Sequence, residues 1–359
     1  MKAIDGYEHK VASHCETGTL RNLVSFAGMD ISEPMVFGIG SGPMFIYLFF
    51  AKGPSTLPLI GLRNRPANIF KFVGKLCGID FRYEKFKNPG AALSRANEWI
   101  DRGVPVGVSV DMFYMKYLPI FLRVHAPSHF IVLVGRDDGA YMVSDPYNSE
   151  LGRLDREDLE AAMDTHAPLA RDNFLITVRG IPDGVDWKHA AKKAMKKTVK
   201  VMLMPPGIRR LVPFMGIQGM KLYARKVRQW PDRYQGVVLR EGILFNAVGF
   251  EDQGTGGGAF RLMYGAFLQE AAGLFGSTEL EGLAERMIEH GQDWRRLSRK
   301  LIEIGKQVPL NDDEYPRWLE THGEGMRSAL HEVSERFLEK AAFEERFFKD
   351  LDKVVARLG

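Results

Sequence analysis

Cys15, His129 and Asp145 are the side chains of this sequence whose types suit covalent acyl chemistry. A cysteine attacks a carbonyl as its thiolate, and a helix N-terminus together with a neighbouring imidazolium lowers the ordinary thiol pKa of about 8.5 by one to several units. Cys15 meets the first condition by position. It stands just before TLRNLVSFAG, where Leu20, Leu23, Val24 and Ala27 recur at the spacing of a buried helix face. The second condition needs an imidazole from elsewhere, itself oriented by an acid or amide. His129 opens HFIVLVG, and Asp145 closes YMVSDP, two strand patterns joined by the turn Asp137-Asp138-Gly139. A hairpin can bring two such positions to one edge, although the register is not set by the sequence. Taken singly, each residue has an ordinary reading. A cysteine before a helix is usually a small buried hydrophobe, a histidine at a strand start a surface or capping residue, and the aspartate of SDPY a turn former. Their conjunction points to chemistry.

The elements that must position them follow from periodicity. Helices are predicted at Thr19 to Gly28, Asn68 to Cys77 and Ala91 to Arg102, the last stopped by DRG. The period then changes, and residues 104–113, 128–138, 140–147 and 173–180 read as strands. A Pro/Gly/Asp segment from Ile181 to Asp186 reads as a linker, so the expected division is 1–183 and 184–359. The first part is predicted to be α+β, helices first and an antiparallel sheet after. The second is predicted to be mainly α-helical, with a short strand-like stretch, VVLREGILF, at 237–245 and long helices around Lys188 to Leu203, Ala259 to Gly273, Leu280 to Gln307 and Tyr315 to Leu358.

Composition narrows the classes. A chain of 359 residues, 45% hydrophobic and 26% charged, can bury sizeable cores. Two cysteines, Cys15 and Cys77, exclude a disulfide scaffold and a cysteine-based structural zinc site. The opening MKAIDGYEHKVASHCETG has no apolar core of a secretory signal, and the apolar run from Pro43 to Ala51 is far short of the roughly 20 residues of a membrane span. A cytoplasmic protein with no integral span is the expectation. Net charge is only +4, but twelve Lys or Arg and no Asp or Glu lie between Lys188 and Trp230.

The segments HCETGTLRNLVSFAGMDISEPMVFGIGSG, SHFIVLVGRDDGAYMVSDPY and GTGGGAFRLMYGAFLQEAA resemble the butirosin biosynthesis protein H family over nearly the whole chain. The resemblance implies a fold similar to papain-like and bacteriocin-processing cysteine peptidases, followed by a helical domain of unassigned role. It implies Cys15, His129 and Asp145 as the catalytic residues. The founding member is an acyltransferase that moves an aminoacyl group from a carrier-protein thioester to an amine of an aminoglycoside. Related peptidases carry an oxyanion-hole Gln six residues before the cysteine; this sequence has His9 there, whose ring N–H is then the expected donor beside the Cys15 amide.

Further residues are candidates for substrate binding. His14 adjoins the nucleophile as a second cation or, more plainly, as a capping residue. Asp111 and Tyr114, in VDMFY, stand at a strand end where they would line a pocket for an amine. Gly256, Gly257, Gly258 and Arg261, in GTGGGAFR, would present backbone amides and a cation to the phosphate of a phosphopantetheine arm; the ordinary reading is a turn with a surface charge. The run lacks the GK[ST] ending of a nucleotide loop, and the glycines of FGIGSGP lack dinucleotide-site spacing and read as a tight turn. His125 and His129 are separated by Pro127, which argues against a helical metal pair. No cofactor or metal is expected. The expected reaction is amide formation through a Cys15 thioester, with hydrolysis by the same residues and a non-catalytic scaffold as alternatives. The expected partners are an acidic acyl carrier protein docking on the basic stretch, an amine small-molecule acceptor and a second copy of the chain in a homo-oligomer, but not nucleic acid.

Overall fold

The computed structural model describes residues 1–40, 42–48, 58–167, 170–252 and 254–359. In chain order its elements begin α1 (Cys15–Phe26), α2 (Glu33–Ile39), β1 (Ile46–Leu48), β2 (Leu59–Gly61), α3 (Asn68–Cys77), β3 (Asp80–Lys85) and α4 (Pro89–Ile100). They continue with β4 (Val106–Val110), β5 (His129–Arg136), β6 (Ala140–Ser144), β7 (Gly152–Asp155), α5 (Arg156–Met163) and β8 (Phe174–Gly180). Helices follow: α6 (Trp187–Leu203), α7 (Pro206–Leu211), α8 (Gly216–Val227), α9 (Trp230–Arg233), α10 (Gly236–Glu251), α11 (Arg261–Phe275), α12 (Thr278–Gln307) and α13 (Tyr315–Arg357). Two compact units are formed, Met1–Gly40 with Arg65–Ala190, and Ser41–Asn64 with Ala191–Gly359.

The first unit is α+β. Its six-stranded antiparallel sheet has the order β3-β8-β4-β5-β6-β7. Alternate residues of the central strands, Val106, Val108, Val110, Ile131, Leu133 and Val143, join Leu93 and Ala96 of α4 and Leu159 and Met163 of α5 in one apolar core. Each buried Val, Leu, Ile or Met side chain of this core contributes about 1.5–3 kcal/mol. Phe130, of the opposite parity in β5, meets Phe70 of α3 at 5.7 Å between ring centroids. The helix starts follow from their capping residues. Ser32 accepts the Met35 N–H at 3.1 Å at the head of α2, and Asn88 accepts the Ala91 N–H at 2.9 Å at the head of α4. α3 starts from Ala67 at φ 67°, with no cap from its own segment. The buried Glu16 carboxylate supplies one across space, accepting the Ile69 N–H at 3.0 Å.

Among its described residues the second unit is helical except for β1 and β2, which pair antiparallel. Segment 41–64 belongs here because Phe45 and Tyr47 are buried against Tyr223, at 6.0 and 5.3 Å, and the Tyr47 N–H donates to the Phe214 carbonyl at 2.8 Å. Beside the expected division at 183/184, the compact units divide at Ala190/Ala191, with Ser41–Asn64 in the helical unit. Residues 237–245 are corrected from strand to helix. Leu239, Ile243, Ala247 and Phe250 are all buried in α10, the helical period that the short window around VVLREGILF did not reveal. Phe37, Gly38 and Ile39, the first residues of the FGIGSGP segment read as a tight turn, instead close α2. Among the described residues no helix is long and apolar enough to cross a membrane.

Candidate active site

Cys15 is the first residue of α1, half-buried, and His14 is its N-cap. Three contacts fix this helix start against the sheet. The Thr19 hydroxyl, one turn after Cys15, donates to the Phe130 carbonyl at 2.9 Å, next to His129. The Ala12 N–H donates to the Pro146 carbonyl at 2.9 Å, next to Asp145. Gly18 closes the approach: a Cβ there would stand 2.5 Å from the Ala12 Cβ and 2.7 Å from that of Pro146.

His129 and Asp145 are both buried, and the His129 Nε2 is 3.0 Å from each Asp145 carboxylate oxygen. That leaves Nδ1 free of Asp145, and Cys15 is close enough to act electrostatically on the ring. Burial opposes the imidazolium, yet the Asp145 charge and then the neighbouring Cys15 outweigh it and raise the His129 pKa to about 10. Burial likewise opposes the Asp145 carboxylate, and the imidazolium and three hydrogen-bond donors pull it below the usual aspartate range. Two of those donors have no forewarning in the sequence. The Tyr147 N–H donates to Oδ1 at 2.9 Å, and the Tyr117 hydroxyl donates to Oδ2 at 2.9 Å. Glu33 was likewise not foreseen. Its carboxylate accepts the N–H of Ser13 at 3.0 Å, the N–H of His14 at 2.8 Å and the Thr17 hydroxyl at 2.9 Å, tying the cysteine-bearing turn to α2. Cys77 contrasts with Cys15: it is buried, and burial pushes its thiol up to about 12.

Four expectations are corrected by this geometry. His9 has no N–H to spare for an oxyanion: Nε2 faces the Asn148 carbonyl at 2.9 Å and Nδ1 faces the Ser144 hydroxyl at 2.8 Å. His14 is buried and caps α1, its Nδ1 accepting from the Thr17 N–H, the capping alternative of the two readings. Asp111 is buried and closes a loop, accepting from the N–H groups of Phe113 at 3.1 Å and Ala126 at 2.9 Å and pairing with His125 at 2.9 Å, while Tyr114 packs onto the core below. Arg261 is fully buried in a two-pronged pair with Glu344 at 3.0 and 2.9 Å, with no face left for a phosphate. Gly256, Gly257 and Gly258 all have positive φ, the conformation this turn requires, and a Cβ on Gly258 would stand 2.5 Å from the Gly291 carbonyl oxygen. The Gly258 N–H already donates to the Glu251 carboxylate at 3.1 Å, where an anion would be repelled.

Residues 14–146 match the family described as butirosin biosynthesis protein H, N-terminal, and residues 157–351 match the domain of unknown function DUF4872. The chain belongs to the DUF4872 family and carries a butirosin biosynthesis protein H N-terminal domain. The span matched by the butirosin biosynthesis protein H domain runs from His14 to Pro146 and so encloses all three residues of the constellation. No curated protein matches the chain. Among solved structures, a C39-like peptidase from Bacillus anthracis is similar at 14% identity and a TM-score of 0.36, over 50% of this chain and 97% of that one. Nothing about the site follows from a likeness of that degree.

Proposed function

We propose that the protein forms amides by acyl transfer through a thioester on Cys15, taking the acyl group from a thioester donor and passing it to an amine. The observation that carries this reading is the Cys15–His129–Asp145 constellation at the mouth of α1, in a domain of the butirosin biosynthesis protein H family. The Cys15 thiolate attacks the donor carbonyl. A new carbon–sulfur bond forms, and the donor thiol leaves with a proton from His129. An amine then attacks the acyl-enzyme, His129 accepts its proton, and Cys15 departs as thiolate. The Cys15 N–H, at the first turn of α1 where helix donors lack intrahelical acceptors, would face the developing oxyanion. Exchange between thioesters is nearly thermoneutral and aminolysis is downhill, so neither step calls for ATP.

The donor is best supplied by an acidic carrier protein, its phosphopantetheine thioester being the substrate. In the second unit Lys193, Lys196 and Lys200 are exposed along α6 at helical spacing, within the stretch that has no acidic residue. Complementary charge speeds such docking. Intact-protein mass spectrometry after incubation with acyl thioesters tests the reading. A Cys15 adduct that persists in water and is discharged by amines supports transfer. Discharge by water alone marks a hydrolase, and no adduct marks a non-catalytic scaffold.

A further inference from the structure

The charged and titratable groups facing the His129–Asp145 pair come from three places: Cys15 of α1, Tyr117 of the loop between β4 and β5, and Tyr147, whose ring stands edge-on to the imidazole at 6.3 Å. Tyr117 has the least ordinary setting. Its ring lies over Gly152 of β7, where a Cβ would come within 2.8 Å of ring carbon. Its hydroxyl donates to the Asp145 Oδ2, and Asp111 holds both ends of the loop that carries it. Burial, and then the Asp145 charge, keep the phenol protonated far beyond neutral pH, so it is a permanent donor. Asp145 is thereby fully engaged: Tyr147 N–H on one oxygen, Tyr117 on the other, and His129 across both.

We propose that Tyr117 is a positioning residue of the triad, whose hydroxyl withdraws part of the Asp145 charge from His129 and so lets the imidazole act as a base once Cys15 is acylated. The physical reason is the change of charge during the cycle. In the free enzyme Asp145 and Cys15 together favour the His129 imidazolium. Once the donor thiol has left with the His129 proton, Asp145 is the charge that still favours the imidazolium, and an undivided carboxylate would draw a proton back onto the ring before it can accept one from the amine. A donor on the carboxylate weakens that hold. The catalytic part rests on the acyl-transfer reading; the electrostatic part does not.

The test compares wild type with Tyr117→Phe and with 3-fluorotyrosine placed at 117. Iodoacetate, an anion drawn by the imidazolium, alkylates Cys15 more slowly once His129 loses its proton, so its alkaline limb reads the histidine directly. Tyr117→Phe removes the donor, and the limb should move up by about half to one pH unit; the fluorinated phenol, a stronger donor, should move it down. Release of the acyl group to an amine at pH 7 should slow by about 3–10-fold in Tyr117→Phe and recover at higher pH, as a one-unit shift implies. If the limb stays put in both variants, or if alkylation and transfer fall together without a shift, Tyr117 is only structural and the proposal is overturned. Should Tyr117→Phe not fold, the fluorinated protein alone decides by the presence or absence of its downward shift. A wild type that takes no acyl group would end the transfer reading, while the alkylation limb would still decide the role of Tyr117.

Discussion

Cys15 and Cys77 share a side chain and differ in everything that sets reactivity. Cys15 is half-buried at the first position of a helix beside a charged imidazole, and Cys77 is buried among apolar residues with its thiol pushed up to about 12. Iodoacetate should therefore label Cys15 well ahead of Cys77 in the folded protein at neutral pH, read by peptide mass spectrometry. The rate at Cys15 should decline as pH rises through about 10, where His129 discharges, whereas neutral iodoacetamide should show no such decline. A single rising curve shared by both cysteines would contradict the ion pair. The same histidine couples to stability. Its folded pKa lies above the ordinary 6.5, so its contribution is complete below 6.5 and disappears as pH rises through about 10. Asp145→Asn takes away the main charge holding the imidazolium and should move the iodoacetate limb several units down while leaving the labelling of Cys77 unchanged.

At the level of elements, α1 is placed by what it lacks as well as by what it carries. Gly18 lets it abut the chain at Pro146, and Gly107 lets it lie on β4, where a Cβ would stand 2.6 Å from the Ile176 Cγ2 and 3.0 Å from the Leu23 Cδ1. Gly18→Ala should cost about 1–3 kcal/mol of stability and lower acylation of Cys15 out of proportion, because the displaced helix carries the sulfur away from His129. Denaturant melts set beside acylation rates check this, and unchanged acylation in a destabilised variant would count against it. In the helical unit α11, α12 and α13 are joined by Arg261, His290, Trp294 and Glu344. Glu344 accepts from the Arg261 fork and from the Trp294 indole at 3.1 Å. Burial opposes its charge, but Arg261 and His290 hold it down to about 2. Glu344→Gln leaves a buried guanidinium without its counter-charge and should destabilise by about 3–5 kcal/mol. Since the folded pKa is depressed from 4.5, that contribution is present above 4.5 and lost as pH falls through about 2. Wild type and variant should accordingly converge in stability under strong acid, as thermal melts across pH would show.

For the whole molecule the relevant quantity is the uneven charge. Lys192 is committed to the Leu358 carbonyl and Lys197 is half-buried, so the side chains free to meet a partner along α6 are Lys193, Lys196 and Lys200. Reversing these three to Glu should slow acylation by a carrier-bound donor and leave a small neutral thioester donor unaffected. Salt should do the same, as the Debye length shrinks from about 10 Å at 0.1 M to about 3 Å at 1 M. Stopped-flow or quenched acylation rates with both donors would measure it. Equal loss with either donor would mean that the stretch serves folding instead of recognition.

How much of this was legible in the sequence depends on the distance over which each feature is set. Helical and strand periods are local, so α3, α4, β5, β6, β8 and the long helices α12 and α13 could be read directly, as could Cys15 at a helix mouth and His129 at a strand start. Short windows failed where burial was two-sided, as in α10, and where a helix was brief, as in α2. Membership of residues 41–64 in the helical unit could not be read, because Phe45 and Tyr47 find their partners some 170 to 290 positions away, at Tyr223 and Phe337. The same holds for the fate of each polar side chain. Whether His9 donates to an oxyanion or to Asn148, and whether Arg261 meets a phosphate or Glu344, depends on which group folding brings within 3 Å, and a charge or a ring nitrogen looks alike in sequence either way. Tyr117 and Glu33 were silent for that reason. The sequence by itself determined which residue types could make a thioester site and which elements carry them. Only the tertiary structure decided their neighbours, because hydrogen bonds and ion pairs act over a few ångströms between residues that the chain holds far apart.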